Sequence, residues 1–463
     1  MRRWGLGVVA VLVLFGSAAC SSASPSQGDG EVALQPASHV VQYRVHDAIS
    51  RSDDLAAAGL DLLEKRQNDD LFVLGDESVG DQIREMGFTV SVDREIVVPR
   101  WTPPALRVNN EQLSPEDVNE TYYGGYHTVN AHYSHLDQVA SAHPDLAKVV
   151  TYGQSYKKQQ GTGGYDLKAI CITKLGTGDC TLNPNSTKPR FLLYTQIHAR
   201  EITTGDVSWR WVDYLVNNYG INSTVTSLVN SEELWIVPIA NPDGTDIVQQ
   251  GGSNPLLQRK NGDAANETTR TCSVPNHGVD LNRNFGSHWG GASTTTNQCG
   301  ETYLGPKADS EIETQNSEAL WRNLFPAVRG SSASAASPTS AKGIMLTLHS
   351  DASVVMFPWY YSSSVHTGND TTQRAMAQQM SNITGYPYGQ SGEVLYTASG
   401  STDDWIYDKL GTSVFTIEVG DTSFNGSCSG FLPPYACQSD TFWPMMQQVL
   451  LYLAPKAAAP FAP

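Results

Sequence analysis

Several features are missing from this sequence, and each gap excludes a class of protein. Basic residues never gather into a stripe, and 30 Lys and Arg stand against 47 Asp and Glu for a formal charge of −17. A nucleic-acid partner would meet repulsion along such a chain. The N-terminal apolar run, residues 4–15, is too short for a permanent membrane span. Cysteine is sparse, seven in 463 residues, so this is no small scaffold stapled by disulfides. No internal repeat is visible. What is present is 40% hydrophobic and 17% charged residues with abundant Tyr and Trp, too apolar for a disordered chain. At about 100–200 residues per domain, the length allows two or three domains.

Arg2 and Arg3, the apolar run and the small residues Gly16, Ser17, Ala18 and Ala19 follow the order of a secretory signal, here residues 1–20. Ser17-Ala18-Ala19-Cys20 also has the form of a bacterial lipoprotein signal, with Ser where an aliphatic residue is usual, which leaves a lipid anchor at Cys20 open. The other six cysteines fall into three neighbouring couples, Cys171/Cys180, Cys272/Cys299 and Cys428/Cys437. Disulfides in an oxidising compartment are expected, buried thiols being the alternative. The expected location is extracellular, or anchored on the outer face of a bacterial cytoplasmic membrane.

Residues 21–37 read as a flexible spacer, 38–95 as a small α+β module, 96–121 as a Pro-rich linker that includes Arg100, 122–456 as the main domain and 457–463 as a tail. The module shows strand patterns at 40–45, 71–74 and 88–92 and an amphipathic helix at 77–86. In the main domain, apolar β-rich runs at 167–173, 191–197, 234–239, 344–348 and 414–419 alternate with helical patterns at 130–143, 204–218, 310–324, 371–384 and 441–453. That alternation predicts an α/β fold with a mixed, largely parallel central sheet flanked by helices.

Two His and one carboxylate around an open position make a catalytic zinc site. His198 and Glu201 form a His-x-x-Glu pair, and by composition about one such His-x-x-acid is expected by accident; His277 and Asp280 are a second. The first pair directly follows an apolar strand run, and ligands in α/β sheets collect beyond the carboxyl ends of strands. His349 ends another such run and Glu418 a third, supplying a further His and a carboxylate base to the same rim. Arg283, in a polar cluster between apolar residues, could grip a carboxylate bidentately.

These residues resemble the zinc metallocarboxypeptidases of the carboxypeptidase A/B type, which include secreted actinomycete members with an N-terminal pro-segment. The match covers about 122–453. It rests on His198-Ala199-Arg200-Glu201, Asn241-Pro242-Asp243-Gly244, Asp280-Leu281-Asn282-Arg283-Asn284, Leu348-His349-Ser350, the loop from Tyr396 to Trp405, and Phe415-Thr416-Ile417-Glu418, all in the family's order. The resemblance implies one Zn²⁺ per chain held by His198, Glu201 and His349, with Glu418 as the base. Arg259 would stabilise the oxyanion, while Asn282, Arg283 and Tyr396 hold the substrate's terminal carboxylate and Arg200 lines the peptide's approach. Asp280 would orient His198. Asp403 falls at the floor of the side-chain pocket, which implies preference for C-terminal Lys or Arg; neutralised by a neighbour, it would leave a broader pocket bordered by Ser350, Ser391 and Thr402. Tyr360 stands where digestive relatives have a small residue. The resemblance also implies a Cys272–Cys299 disulfide, an activating protease for the N-terminal module, and a monomer acting on peptide or protein C-termini. Two other readings remain: a zinc peptidase acting on cell-wall peptides, and a non-catalytic secreted peptide-binding lipoprotein on the same fold.

Overall fold

The computed structural model describes residues 39–97, 120–265, 272–423 and 425–462. The signal segment, the spacer, Cys20 and Arg100 lie outside them. The strands are β1 (His39–Val45), β2 (Asp61–Gln67), β3 (Asp70–Gly75), β4 (Val90–Val97), β5 (Thr121–Tyr122), β6 (Tyr126–His127), β7 (Ala147–Gln154), β8 (Asp166–Ile172), β9 (Arg190–Thr195), β10 (Glu233–Val237), β11 (Ile344–His349), β12 (Val354–Phe357), β13 (Tyr388–Gln390) and β14 (Ser413–Glu418).

The main sheet runs β13-β12-β14-β11-β9-β10-β8-β7. Its centre, β14-β11-β9-β10, is parallel, while β12 pairs antiparallel with β14, and β10, β8 and β7 pair antiparallel in turn. Every residue of β9, β10, β11 and β14 is buried, the signature of a sheet covered on both faces. Alternation divides the faces. Phe191, Leu193, Leu346 and Phe415 pack with helices Val129–Ala142, Ile202–Asn218, Asp370–Thr384 and Trp443–Leu453. Leu192, Tyr194, Met345 and Val414 pack with helices Ile312–Leu324 and Thr402–Leu410 around Trp321 and Trp405. The three cysteine couples form disulfides as read from the sequence.

The smaller sheet is antiparallel, in the order β2-β3-β1-β4. Its apolar residues Val41, Tyr43, Leu62 and Val73, with Ile83 of the helix Glu77–Glu85, belong to one cluster with Val354, Met356, Tyr360, Leu395 and Tyr396 of the larger unit. The two sheets therefore share a core. Strand β2 carries no strand signal, because its only apolar residues, Leu62 and Leu63, are followed by the charged run Glu64, Lys65 and Arg66. Glu64 and Lys65 are nevertheless 7% and 4% exposed, buried against the larger unit rather than within their own sheet.

A cluster of buried carboxyl groups closes the start of helix Ile312–Leu324. Asn261 Nδ2 donates to Glu311 Oε2 at 2.9 Å, and the Tyr156 N–H donates to Glu313 Oε1 at 2.7 Å. Burial, reinforced by nearby Asp263, pushes Glu311 up to about 7, and burial with nearby Asp243 pushes Glu313 up to about 8. Both values lie above the ordinary 4.5. The protonated forms thus favour folding below that value, and the advantage is lost as pH rises to 8, by up to about 1.4 kcal/mol per pH unit and group. Denaturant unfolding from pH 5 to 8 should show falling stability, with a shallower fall in Glu313→Gln; equal slopes in the two proteins would contradict this.

Candidate active site

The parallel register delivers the site. His349 of β11 stands opposite Glu418 of β14, and Leu348 opposite Thr195, the last residue of β9. The chain leaving β9 turns immediately into His198 and Glu201, Glu201 being the N-cap of helix Ile202–Asn218. Asn241 Nδ2 fixes this turn by donating to the Ile197 carbonyl at 3.0 Å, and the Ala199 N–H donates to the Arg259 carbonyl at 3.0 Å.

His198, Glu201 and His349 are fully buried and converge. His198 Nδ1 lies 3.1 Å from His349 Nδ1 and 2.6 Å from Glu201 Oε1, and His349 Nδ1 lies 3.1 Å from Glu201 Oε2. Two imidazole nitrogens this close cannot both carry protons without repulsion, and a carboxylate facing both asks for a cation. Zinc with tetrahedral ligands at about 2.0–2.1 Å would separate donor atoms by about 3.3 Å. The nitrogen and oxygen donors thus suit Zn²⁺ in type and spacing. Behind them, Asp280 Oδ1 is 3.3 Å from His198 Nε2, while Asp280 Oδ2 accepts from Arg259 Nε at 3.0 Å.

Beside the triad lies a narrow cavity lined by Asn282, Arg283, Tyr396 and Glu418 together with Met356, Tyr360, Ser391 and Thr416. Burial and the negative charges of Glu201, Glu64 and Asp351 raise the Glu418 pKa well above the ordinary carboxyl range. Arg283 is oriented by donating from Nε to the Ser293 carbonyl and from Nη1 to the Asn282 carbonyl, each at 3.0 Å. Asn282 Oδ1 accepts from the Thr402 N–H at 2.9 Å. Tyr396 is 1% exposed, and among the described residues its hydroxyl finds no hydrogen-bond partner.

Of the five residues expected to bind substrate, Arg200 and Asp403 do not line this cavity. Arg200 lies outside it, gripping Asp61 of β2 through two hydrogen bonds of 2.6 and 2.7 Å, with its guanidinium over the Phe431 ring. Asp403 is fully buried one layer behind the wall, where its two oxygens accept from Thr402 Oγ1 and Thr416 Oγ1, each at 2.8 Å.

Glu64 does line the cavity, and sequence reasoning missed it. Its Oε1 lies 2.7 Å from Arg259 Nη2 and 4.0 Å from Arg283 Nη2. Although burial opposes ionisation, Arg259, His198 and Arg283 hold its pKa below the ordinary value. The available signal was a polar run too short and too charged to mark as a strand.

A family model described as zinc carboxypeptidase matches residues 132–444. Human carboxypeptidase B2 is 26% identical over 329 residues, covering 69% of this chain and 68% of that protein. Mouse carboxypeptidase A2 is 28% identical over 310 residues, 66% of this chain and 64% of that protein. Among solved structures, carboxypeptidase A from Helicoverpa armigera superposes with a TM-score of 0.68 at 21% identity, covering 91% of this chain and 98% of that one. Thrombin activatable fibrinolysis inhibitor gives a TM-score of 0.64 at 21% identity, covering 91% and 99%. These shares are too large for the eight-stranded unit alone, so the likeness in fold takes in the smaller sheet. With a converged donor set at the strand ends and a family match across most of the larger unit, the chain belongs to the zinc carboxypeptidases, hydrolases that depend on zinc.

Proposed function

We propose that this chain is the latent form of an extracellular carboxypeptidase that removes C-terminal Lys or Arg. The observation that carries the reading is the Glu64 carboxylate, which lines the cavity beside the His198, Glu201 and His349 donors and lies 2.7 Å from Arg259 Nη2 and 4.0 Å from Arg283 Nη2. A substrate's terminal carboxylate needs the same surroundings: guanidinium groups, a nearby base and exclusion of water. Three disulfides favour an oxidising compartment. No helix among the described residues is long and apolar enough to cross a membrane.

In this reading His198, Glu201 and His349 would hold Zn²⁺, which when bound would supply Lewis acidity to a water and to the scissile carbonyl. Glu418 accepts a proton from the attacking water and returns it to the leaving amine. Arg259, braced by Asp280, donates to the oxygen on which charge develops. Asn282, Arg283 and Tyr396 grip the terminal carboxylate, confining cleavage to the last peptide bond. Arg200 binds the upstream peptide once Asp61 leaves it. Asp403 supplies the negative charge for a basic side chain. An activating protease cutting between the two sheets, in the Arg100 segment, releases the β2 edge from the cleft.

Full-length protein loaded with zinc should turn over a Lys-terminated peptide slowly and accelerate after limited trypsin digestion. Glu64→Gln should raise the uncut chain's rate at least about tenfold, since removing one partner of a buried ion pair costs several kcal/mol of docking. Equal rates for cut and uncut wild-type protein would refute latency. Glu418→Gln in the cut enzyme should lose about 10²–10⁴-fold in kcat while keeping its zinc, and a wild-type rate would remove Glu418 from the mechanism.

A further inference from the structure

Arg200 has two claimants. Asp61 of β2 accepts from both of its terminal nitrogens, at 2.6 and 2.7 Å, while Glu301 Oε2 stands 3.9 Å from Nη1. Glu301 is 6% exposed, and among the described residues its Oε2 finds no hydrogen-bond partner. An ionised Glu301 would face a second carboxylate across a guanidinium whose single charge Asp61 already takes up, and a buried charge without its own partner is costly. A protonated Glu301 removes that conflict.

The smaller unit itself creates this position. Glu301 follows a loop tied down by the Cys272–Cys299 disulfide and by Lys260 Nζ, which donates to the Gln298 and Gly300 carbonyls, each at 3.0 Å. The helix Ser52–Ala57 and the turn after it land on that loop. The Ser293 N–H donates to Asp53 Oδ1 at 2.7 Å, Thr295 Oγ1 donates to the Ala57 carbonyl at 3.2 Å, and a Cβ added to Gly300 would lie 2.9 Å from Gly59 Cα. Docking therefore covers the loop and sets Asp61 beside Glu301 in one step. Burial pushes the Glu301 pKa up to about 7 from the ordinary 4.5, and the Asp61 charge adds to the rise, while Arg200, Lys260 and Arg259 oppose it.

Resting on the latency set out above, we propose that Glu301 is a proton-operated latch: protonated, it leaves Arg200 to Asp61 and the smaller sheet stays docked; ionised, it competes for Arg200 and loosens the sheet. Once the sheet leaves, Glu301 meets water and no longer faces Asp61, so its pKa returns toward the ordinary value. The docked form thus holds a proton that the open form releases. Docking has its full advantage below the open-form pKa, and the advantage is lost as pH rises through about 7. Between pH 6 and 8 the docking constant should fall about tenfold. Glu64, the other buried acid of β2, is held below the ordinary value and stays ionised throughout this range.

Two readings of the full chain loaded with zinc test the latch. In the uncut protein, amide hydrogen exchange of β2, each rate divided by its intrinsic rate at that pH, should show protection falling about tenfold from pH 6 to 8. Glu301→Gln should hold the same protection at both pH values, and Asp61→Asn, which removes the opposing charge, should shrink the response as well. In parallel, the ratio of peptide turnover after and before limited trypsin digestion, in which the pH response of the catalytic groups largely cancels, should fall with the protection. A ratio above one that stays constant from pH 6 to 8, with constant β2 protection, would overturn the latch and leave latency standing. A pH response equal in wild type and Glu301→Gln would also overturn it. Equal rates before and after digestion at every pH would overturn latency and the latch together.

Discussion

Everything at the active site depends on three neighbouring parallel strands, β9, β11 and β14, ending at one level. Parallel pairing in register sets His349 against Glu418 and brings the end of β9 alongside, so the candidate metal donors and the Glu418 carboxylate need no long loops to meet. A shift of one residue would turn each of these side chains to the opposite face of the sheet. The strands resist such a shift because every residue in them is buried on one face or the other. Hydrophobic packing on both faces therefore fixes the geometry of a polar, charged rim.

That rim is electrostatically incomplete by itself. Arg200, Arg259 and Arg283 are all at most 2% exposed, and buried guanidinium groups need anions. Asp280 serves Arg259 from behind, while β2 brings Asp61 to Arg200 and Glu64 to Arg259 from the front. The smaller sheet thus supplies to the cleft the chemical group that a peptide's C-terminus would supply, and its apolar residues join one cluster with Tyr360 and Tyr396. Charge pairing and apolar burial thus act together on the surface that joins the two sheets.

The parts of this arrangement legible in sequence are those fixed by local pattern. Runs such as 191–197 and 344–348 announce buried strands because both faces are apolar, and a His just beyond each run announces the rim. The helices ending at Asn218, Leu324, Thr384 and Leu453 were readable from their apolar periodicity. Strand β2 was not, since its charged residues are matched by partners more than a hundred positions away: Asp61 by Arg200, Glu64 by Arg259, Lys65 by Asn425. No local window contains those partners. Asp403 illustrates a second limit. Its position beside the pocket followed from resemblance, but its cover depends on Thr416, on a different strand, whose hydroxyl orientation no sequence pattern encodes. Short elements such as Val354–Phe357 and Pro242–Gln249 also escaped notice, too brief to establish a period.

Zinc K-edge X-ray absorption of the full-length protein tests the central claim most directly. The account predicts one zinc bound by two imidazole nitrogens and carboxylate oxygen, with no sulfur, and loss of that signature in His349→Ala. A sulfur-containing shell, or a spectrum unchanged by His349→Ala, would contradict it.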